Sequence, residues 1–165
     1  MAQDGRTAQR VSAGEEALAR QPDPRRDGSA VLPAPDDPMS CTYITDLAAI
    51  RAVVHRYALA AGLPEARAID LTLAVSEVAA NTVKHAKSPG SLKVWYDTRE
   101  IVCQIHDEGI ITDPLAGRRQ PSLDALGGHG LWIVNQVCDR VDIQSDETGT
   151  TIRMHMSRPV TTAGD

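Results

Sequence analysis

Two consecutive segments after residue 40 repeat apolar residues with the period of an α-helix. Thr45 or Asp46 can cap the start of the first predicted helix, and Gly62 can end it. Pro64 can begin the second, because the first helical turn does not need the missing N–H group, and the pattern continues to about Ala86. The apolar positions are Leu47, Ile50, Val54, Tyr57, Ala58 and Ala61 in the first segment, and Leu71, Ala74, Val75, Val78, Ala79 and Val83 in the second.

The second half of the chain contains strand-like runs of apolar and β-branched residues, separated by turn residues. Thr98–Glu100 is short enough to join two of these strands as a hairpin. Residues 107–130 are polar and contain five glycines, and a loop of this length within a compact domain is typical of a functional segment. The predicted elements are strands at Ser91–Asp97 and Ile101–His106, a helix at Leu131–Cys138, and a closing hairpin of Val141–Ser145 and Thr150–Met156.

The order of these elements is helix, helix, strand, strand, loop, helix, strand and strand, which departs from a strict alternation of strands and helices. Such an order is typical of the α+β class, in which helices pack on one side of a sheet. We therefore predict a two-layer α/β sandwich with a mixed, mainly antiparallel sheet and helices on one face.

Composition separates an N-terminal segment from the predicted sandwich. Residues 1–39 hold five of the ten prolines and twelve charged residues, but few large apolar ones. A segment of this kind cannot bury enough apolar surface to offset the entropy that it would lose on ordering. We predict a disordered proline-rich tail at 1–39, one domain at 40–158 and a short C-terminal tail at 159–165.

Length, charge and cysteine content narrow the functional class. The 165 residues suffice for one domain, and the net charge of −5 argues against a nucleic-acid binder, which needs a basic face. No signal-peptide pattern or membrane-spanning apolar run is present, so we expect a cytoplasmic protein. Cys41, Cys103 and Cys138 are too widely spaced for a disulfide framework or a zinc site, and we interpret them as buried or idle thiols.

The second predicted helix carries the first pair of candidate functional residues. Glu77 and Asn81 lie four residues apart and therefore share one helical face. A carboxylate can act as a general base, and an amide oxygen suits Mg²⁺, which takes few protein ligands and completes its shell with phosphate and water. Lys84 and His85 follow one turn later, where a cation can meet phosphate. The alternative is an ordinary amphipathic helix with solvated polar residues, because this spacing is common by chance.

The end of the second predicted strand carries Asp107 and Gly109. A carboxylate accepts hydrogen bonds only, so Asp107 suits an exocyclic amine such as that of adenine. Gly109 lets a flat base approach the backbone. The alternative is a turn that ends the strand, since Asp-x-Gly is common in turns.

A glycine-rich stretch, Gly127–Leu131, leads into the third predicted helix. Glycines at this place expose the backbone N–H groups, which form an anion site together with the helix dipole; a flexible loop is the alternative. The stretch is not a Walker P-loop, because that motif requires Lys followed by Ser or Thr. Thr150, near the start of the last strand, has a hydroxyl that can donate to or accept from a base or a phosphate.

Taken in order, the ExxxN helix, the DxG strand end, the glycine loop and the Gly-Thr strand start resemble the GHKL ATPase family. That family includes the ATP-binding domains of gyrase, Hsp90, histidine kinases and MutL. The nearest resemblance is to the small bacterial anti-sigma-factor serine kinases, in their actinobacterial form. LTLAVSEVAANTVKHA and GGHGLWIVNQVCDRVDI carry it, and it extends from about residue 42 to 156. One departure is Ile111, which stands where the adenine motif often has a second glycine.

The resemblance implies a role for each motif. Glu77 would be the base that activates an attacking hydroxyl, and Asn81 would be the Mg²⁺ ligand beside bound ATP. Asp107 would accept a hydrogen bond from the adenine amine, with Gly109 beside the ring and Thr150 supporting that network. The phosphates would contact the end of the ATP lid, the loop that closes over the nucleotide, and one cationic residue of the second helix. The lid residues are Gly128, His129, Gly130 and Leu131, and the helix residue is His85.

The implied fold is the GHKL sandwich, and the implied reaction moves the γ-phosphoryl group of ATP to a serine of an anti-sigma-factor antagonist. A sigma factor would be the second partner, and a homodimer is possible; neither nucleic acid nor membrane is expected to bind directly. The alternative function is a nucleotide-binding module that sequesters a regulatory partner without catalysis. Glu77 favours the kinase, because a pure binder does not need it. Residues 1–39 contain no histidine for a histidine kinase to phosphorylate, and no residues remain for the transducer domain of a gyrase-type ATPase.

Overall fold

Eight elements make up the part of the chain that the structure, a computed structural model, describes. The described residues are 46–85, 88–122, 124–125 and 128–160, together with the backbone of 39–42. The elements are β1 (Met39–Thr42), α1 (Leu47–Ala60), α2 (Glu65–His85), β2 (Ser91–Tyr96), β3 (Glu100–Asp107), α3 (His129–Val137), β4 (Arg140–Asp146) and β5 (Gly149–Ser157). The predicted tail before residue 39, the alternative cap Thr45 and the helix end at Ala86 lie outside these ranges, and the domain boundaries stay a prediction.

The strands form one five-stranded sheet in the order β1-β2-β3-β5-β4. Every neighbouring pair is antiparallel, so the α+β sandwich is confirmed, but the parallel pairing of a mixed sheet does not occur among the described strands. The order follows from chain connectivity: two hairpins, β2–β3 and β4–β5, pair through β3 and β5. Strand β1, which the hydrophobic pattern did not predict, adds to the free edge of β2.

The first two helices form where the apolar periodicity predicts them. Asp46 caps α1, since its carboxylate accepts a hydrogen bond from the Ala49 amide at 2.9 Å. Gly62, with φ of +88°, turns the chain after α1. Helix α2 packs against α1 on one side and lies on β3 and β5. Among the described residues, no helix is both long enough and apolar enough to cross a membrane.

The third helix begins two residues earlier than the predicted Leu131–Cys138. Gly128 forms its N-cap with φ of +85°, a left-handed conformation that glycine adopts without strain. His129 and Gly130 therefore belong to the first turn of α3 and not to the loop before it. The helix ends one residue early because the backbone of Cys138 is extended.

The core lies between the helices and one face of the sheet. Tyr57 packs edge to face on Tyr96, with ring centroids 5.5 Å apart, and methionines fill space that a chain without Phe cannot fill with phenyl rings. The largest fully buried side chains are Tyr57, Leu71, Leu92, Ile101, Ile105, Met154 and Met156. This packing brings the end of β3, the start of β5 and the C-terminal half of α2 to one end of the sandwich.

Candidate functional site

Helix α3 approaches α2 at a glycine. A Cβ on Gly130 would lie 3.0 Å from Oε2 of Glu77 and 3.5 Å from Nδ2 of Asn81. The carboxylate and the amide, which the four-residue spacing placed on one helical face, thus lie side by side against the first turn of α3. A side chain at position 130 would press directly on the Glu77 carboxylate.

The first turn of α3 has N–H groups that no side chain of the N-cap covers. Gly128 has no side chain that could accept hydrogen bonds from these N–H groups. The residues preferred at helix N-caps have a side-chain oxygen that does so. Backbone N–H groups of this kind, at the positive end of the helix dipole, favour an anion. The turn that faces Glu77 and Asn81 is therefore suited to phosphate oxygens.

The loop after β3 packs on α3 at Leu131 and Asn135. A Cβ on Gly117, whose φ is +74°, would lie 2.7 Å from the carbonyl oxygen of Leu131 and 2.8 Å from Nδ2 of Asn135. Leu131, predicted to meet phosphate, thus also supports this loop through its own backbone and Cβ. Glycine is required at 117 both for the backbone angle and for the close approach.

The carboxylate of Asp107 is held by two hydrogen bonds from different parts of the chain. Oδ1 accepts from the Gly109 amide at 2.8 Å, which closes the turn at the end of β3. Oδ2 accepts from Oγ1 of Thr82 on α2 at 2.5 Å. An ionised carboxylate has about four lone-pair sites, so both oxygens can still accept from a ligand.

A chain of hydrogen bonds attaches the turn after Asp107 to the β4–β5 hairpin. Thr150 donates its only hydroxyl hydrogen to the carbonyl oxygen of Gly109 at 2.7 Å. The hydroxyl of Ser145, 2.7 Å from that of Thr150, must therefore donate to it, and it accepts in turn from the Ile111 amide at 2.9 Å. Thr150 thus positions Gly109, the residue predicted to lie beside the adenine ring.

Gly149 explains why the last strand can start so close to Asp107. Its φ is +134°, and a Cβ there would lie 2.1 Å from the carbonyl oxygen of Asp107 and 3.0 Å from Cα of Glu108. No other residue type fits this approach, so Gly149 and Thr150 act together, one by its absent side chain and the other by its hydroxyl.

His85 and His129 are the two histidines that the sequence predicts to contact phosphate. His85 is the last residue of α2, His129 is the first residue of α3, and both are exposed. Within the described ranges, no hydrogen bond or ion pair joins either side chain to Glu77, Asn81 or Asp107.

Metal binding at the site depends on the donor groups that the described residues offer. Among the described residues, no group of three or more His, Cys, Asp and Glu could hold a metal ion. A cage made of protein ligands is therefore not present in this part of the chain. A single amide oxygen such as that of Asn81, on the face of α2 that meets the first turn of α3, fits Mg²⁺, which takes most of its ligands from phosphate and water.

A pocket of about 330 Å³ lies beside the site, between the loop after β3, helix α3 and strand β4. Ile111, Asn135 and Ser145 are among its lining residues. Two of these, Ile111 and Ser145, belong to the hydrogen-bond chain that holds the Asp107 turn. The same two residues therefore line the pocket and hold the turn.

Thr82 and Ser145 are the site residues that the sequence reasoning missed. Thr82 is 3% exposed on a helical face that is otherwise apolar, and a polar residue at such a position is the signal that could have found it. Ser145 carried no such signal, because its partner Ile111 lies 34 residues earlier in the chain.

Comparison with known proteins gives a family and several matching solved structures. Residues 43–156 match the histidine kinase-like ATPase domain family. The chain is similar to the histidine kinase domain of a blue-light activated histidine kinase from Erythrobacter litoralis EL346. That similarity has 18% identity and a TM-score of 0.46, and covers 90% of this chain and 73% of that chain. No curated protein gives a match.

Proposed function

Because the chain belongs to the histidine kinase-like ATPase domain family, we propose that it uses ATP and Mg²⁺ to phosphorylate a serine of a partner protein. Binding of ATP is a property of the family. The serine acceptor, an anti-sigma-factor antagonist that carries it, and a sigma factor held by the same chain are our proposal. The motifs within residues 71–86 and 127–143 support it.

The observation that carries the proposal is the contact of Gly130 with Glu77 and Asn81. It brings a carboxylate, an amide side chain and the open N–H groups of a helix start to one place. Phosphoryl transfer depends mainly on positioning and on neutralising charge around the phosphates. These groups are the ones that such a reaction uses.

Each residue then has a distinct task. Glu77 would accept the proton of the attacking serine hydroxyl, and the first turn of α3 would bind phosphate oxygens. Asn81 would hold Mg²⁺, which supplies positive charge to the phosphates when it is bound. Asp107, fixed by its two hydrogen bonds, would select the adenine amine.

ATP affinity with and without Mg²⁺ is the first test, measured by calorimetry or by the fluorescence of Trp132 in α3. We expect Asp107→Asn to lower the affinity at least tenfold, because its amide group presents a donor to the adenine amine. Asn81→Ala should lose the Mg²⁺ dependence. Asp124→Asn, an exposed acid in the loop, is the matched control and should bind normally. If the wild type does not bind ATP, the proposal is wrong.

Phosphoryl transfer is tested with radiolabelled ATP and antagonist-like proteins from the same organism. We expect phosphoserine on the acceptor, and a loss of about 10²-fold or more in Glu77→Gln, the usual contribution of a general base, with ATP affinity retained. Transfer that is equal in Glu77→Gln and wild type would exclude Glu77 as the base. ATP binding without any transfer would instead favour the module that sequesters a partner without catalysis.

A further inference from the structure

The buried hydroxyl of Thr82 is one of the two groups that hold the Asp107 carboxylate. Thr82 lies on the sheet side of α2 and is 3% exposed. Its Oγ1 lies 2.5 Å from Oδ2 of Asp107 and 3.2 Å from the carbonyl oxygen of Val78. Asp107 is 25 residues further along the chain, so this contact joins the second helix to the end of β3.

The hydroxyl has one hydrogen and two acceptors within reach. The carbonyl of Val78 lies four residues before Thr82 and is already in the position that accepts the helical N–H bond. The Asp107 oxygen carries charge and is nearer by 0.7 Å, the difference between 3.2 and 2.5 Å. Charged acceptors make shorter and stronger hydrogen bonds, so the hydrogen lies between Thr82 and Asp107.

This bond fixes the carboxylate from the side that its own turn does not control. The Gly109 amide holds Oδ1, and Thr82 holds Oδ2. With one oxygen held by the turn and the other by α2, rotation of the carboxyl group would break one of the two bonds. The Asp107 carboxylate is therefore preorganised as an acceptor, and a ligand does not have to supply the free energy of ordering it.

We propose that Thr82 is a positioning residue that makes the site select a purine with an amine at C6 over one with a carbonyl there. This inference rests on the proposed binding of ATP. A C6 amine donates to the carboxylate, whereas a C6 carbonyl presents an acceptor to an acceptor. Selection of this kind needs a carboxylate that cannot turn away from the mismatched ligand, and Thr82 supplies that restraint.

The test compares three nucleotides on three proteins, with dissociation constants measured by calorimetry. The nucleotides are ATP, inosine triphosphate with its C6 carbonyl, and purine riboside triphosphate, which has no substituent at C6. The proteins are the wild type, Thr82→Val, which removes the hydroxyl with little change in shape, and Thr82→Ser, which keeps it.

We expect the wild type to bind ATP at least tenfold more tightly than either analogue. In Thr82→Val, ATP affinity should fall about tenfold, because ATP would then have to order the Asp107 carboxylate itself. The affinity for purine riboside triphosphate should stay within about twofold, because that ligand does not use the carboxylate. Thr82→Ser should keep the wild-type ratio of ATP to inosine triphosphate. Thr82→Ala, which also lacks the hydroxyl, replaces the valine variant if the latter does not fold.

Four outcomes would overturn the inference. An equal loss for all three nucleotides in Thr82→Val would mean that the hydroxyl only supports the structure. An unchanged ratio of ATP to inosine triphosphate in that variant, or no preference in the wild type, would mean that Thr82 does not set selectivity, while ATP binding itself stands. A wild type that binds none of the three would overturn the proposed function and the inference with it.

Discussion

Two glycines with positive φ show that the backbone at this site depends on single residues. Gly128 has φ of +85° and open space around its missing side chain. Gly149 has φ of +134° and the Asp107 carbonyl oxygen 2.1 Å from the place of its Cβ. The first glycine is required only for its backbone conformation, whereas the second is required also for the close approach of two strands.

Replacing each of these glycines by alanine separates the two effects. We expect Gly128→Ala to lower the free energy of unfolding by about 1 kcal/mol, the strain of a left-handed alanine. Gly149→Ala should cost about 3 kcal/mol or more, because a clash with backbone adds to that strain. Urea denaturation of both variants measures the difference. Equal losses would mean that the approach of Gly149 to Asp107 is not tight.

Two buried thiols give a second test at the scale of residues. Burial raises the pKa of Cys103 far above its usual range, and the nearby Cys138 adds to this. Burial raises the pKa of Cys138 to about 12, although Arg67 opposes the shift. In a Cys41→Ser chain at about pH 8, where an exposed thiol reacts readily, we expect a disulfide reagent to label neither thiol in the folded state and both in guanidinium. Prompt labelling without denaturant would contradict the burial.

Helix α3 shows how the fold holds an element that its sequence alone would not stabilise. Nine residues are too few for a stable isolated helix. At its C-terminal end, Arg67 of α2 donates to the carbonyl oxygen of Val137 at 3.0 Å and to Oδ1 of Asp139 at 2.6 Å. Asp139 in turn accepts from the Ser157 amide at 2.6 Å. This network connects α2, β5 and the C-terminal end of α3.

The same network predicts a dependence of stability on pH. Partial burial raises the pKa of Asp139, but the hydrogen bonds from Ser157 and Arg67 outweigh it, so the pKa lies below its ordinary value. A carboxyl group with a lowered pKa in the folded state stabilises the fold above its unfolded pKa of about 4 and loses that effect as the pH falls through the folded value. We expect Asp139→Asn to lower stability at neutral pH and to flatten its decrease in acid.

Urea denaturation at a series of pH values between neutral and strongly acidic checks this expectation. Asp146→Asn is the comparison, because the hydrogen bonds from Thr148 also lower the pKa of Asp146, yet that residue is fully exposed and bonds within its own turn. Asp146→Asn should change the loss of stability at low pH less than Asp139→Asn does. If the free energy of unfolding fell more steeply in acid for Asp139→Asn than for the wild type, this role of Asp139 would be contradicted.

At the scale of the whole molecule, Arg158 connects the two layers beyond the end of β5. Its Nε donates to the carbonyl oxygen of Ala61 at 2.5 Å, at the C-terminal end of α1. Another N–H group donates to the carbonyl oxygen of Asp97 in the β2–β3 turn, and the guanidinium lies 4.8 Å from the centroid of the Tyr96 ring. The Arg158 side chain thus donates hydrogen bonds to a helix end and to a hairpin turn, and it also lies over a buried aromatic ring.

Removing this connection should destabilise the chain as a whole. We expect Arg158→Ala to lower the free energy of unfolding by about 2–3 kcal/mol, from charged hydrogen bonds and a cation–π contact. Arg158→Lys should recover only part of it, since an ammonium cannot reach several acceptors in one plane. Thermal and urea unfolding of both variants test this. Full stability in the lysine variant would show that charge alone matters.

Family and fold class were within reach of the sequence, because both depend on local patterns. The apolar period located α1 and α2 to within a residue or two, and the ordered motifs identified the family that residues 43–156 match. The start of α3 was placed two residues late, since a left-handed Gly128 as N-cap is a property of the folded backbone. Strand β1 was missed because four residues are too few to establish an alternating pattern.

The sequence by itself determined which residue types carry the chemistry: a carboxylate and an amide four positions apart, an acid at a strand end, and glycines before a helix. Only the tertiary structure decided how they are held. Thr82 and Asp107 are 25 residues apart in the chain, and Thr150 and Gly109 are 41 apart. Such contacts depend on strand register and on how α2 lies on the sheet, and neither is contained in the spacing of residues along one segment. Local periodicity fixes a helix face, but the packing of separate elements fixes what that face meets.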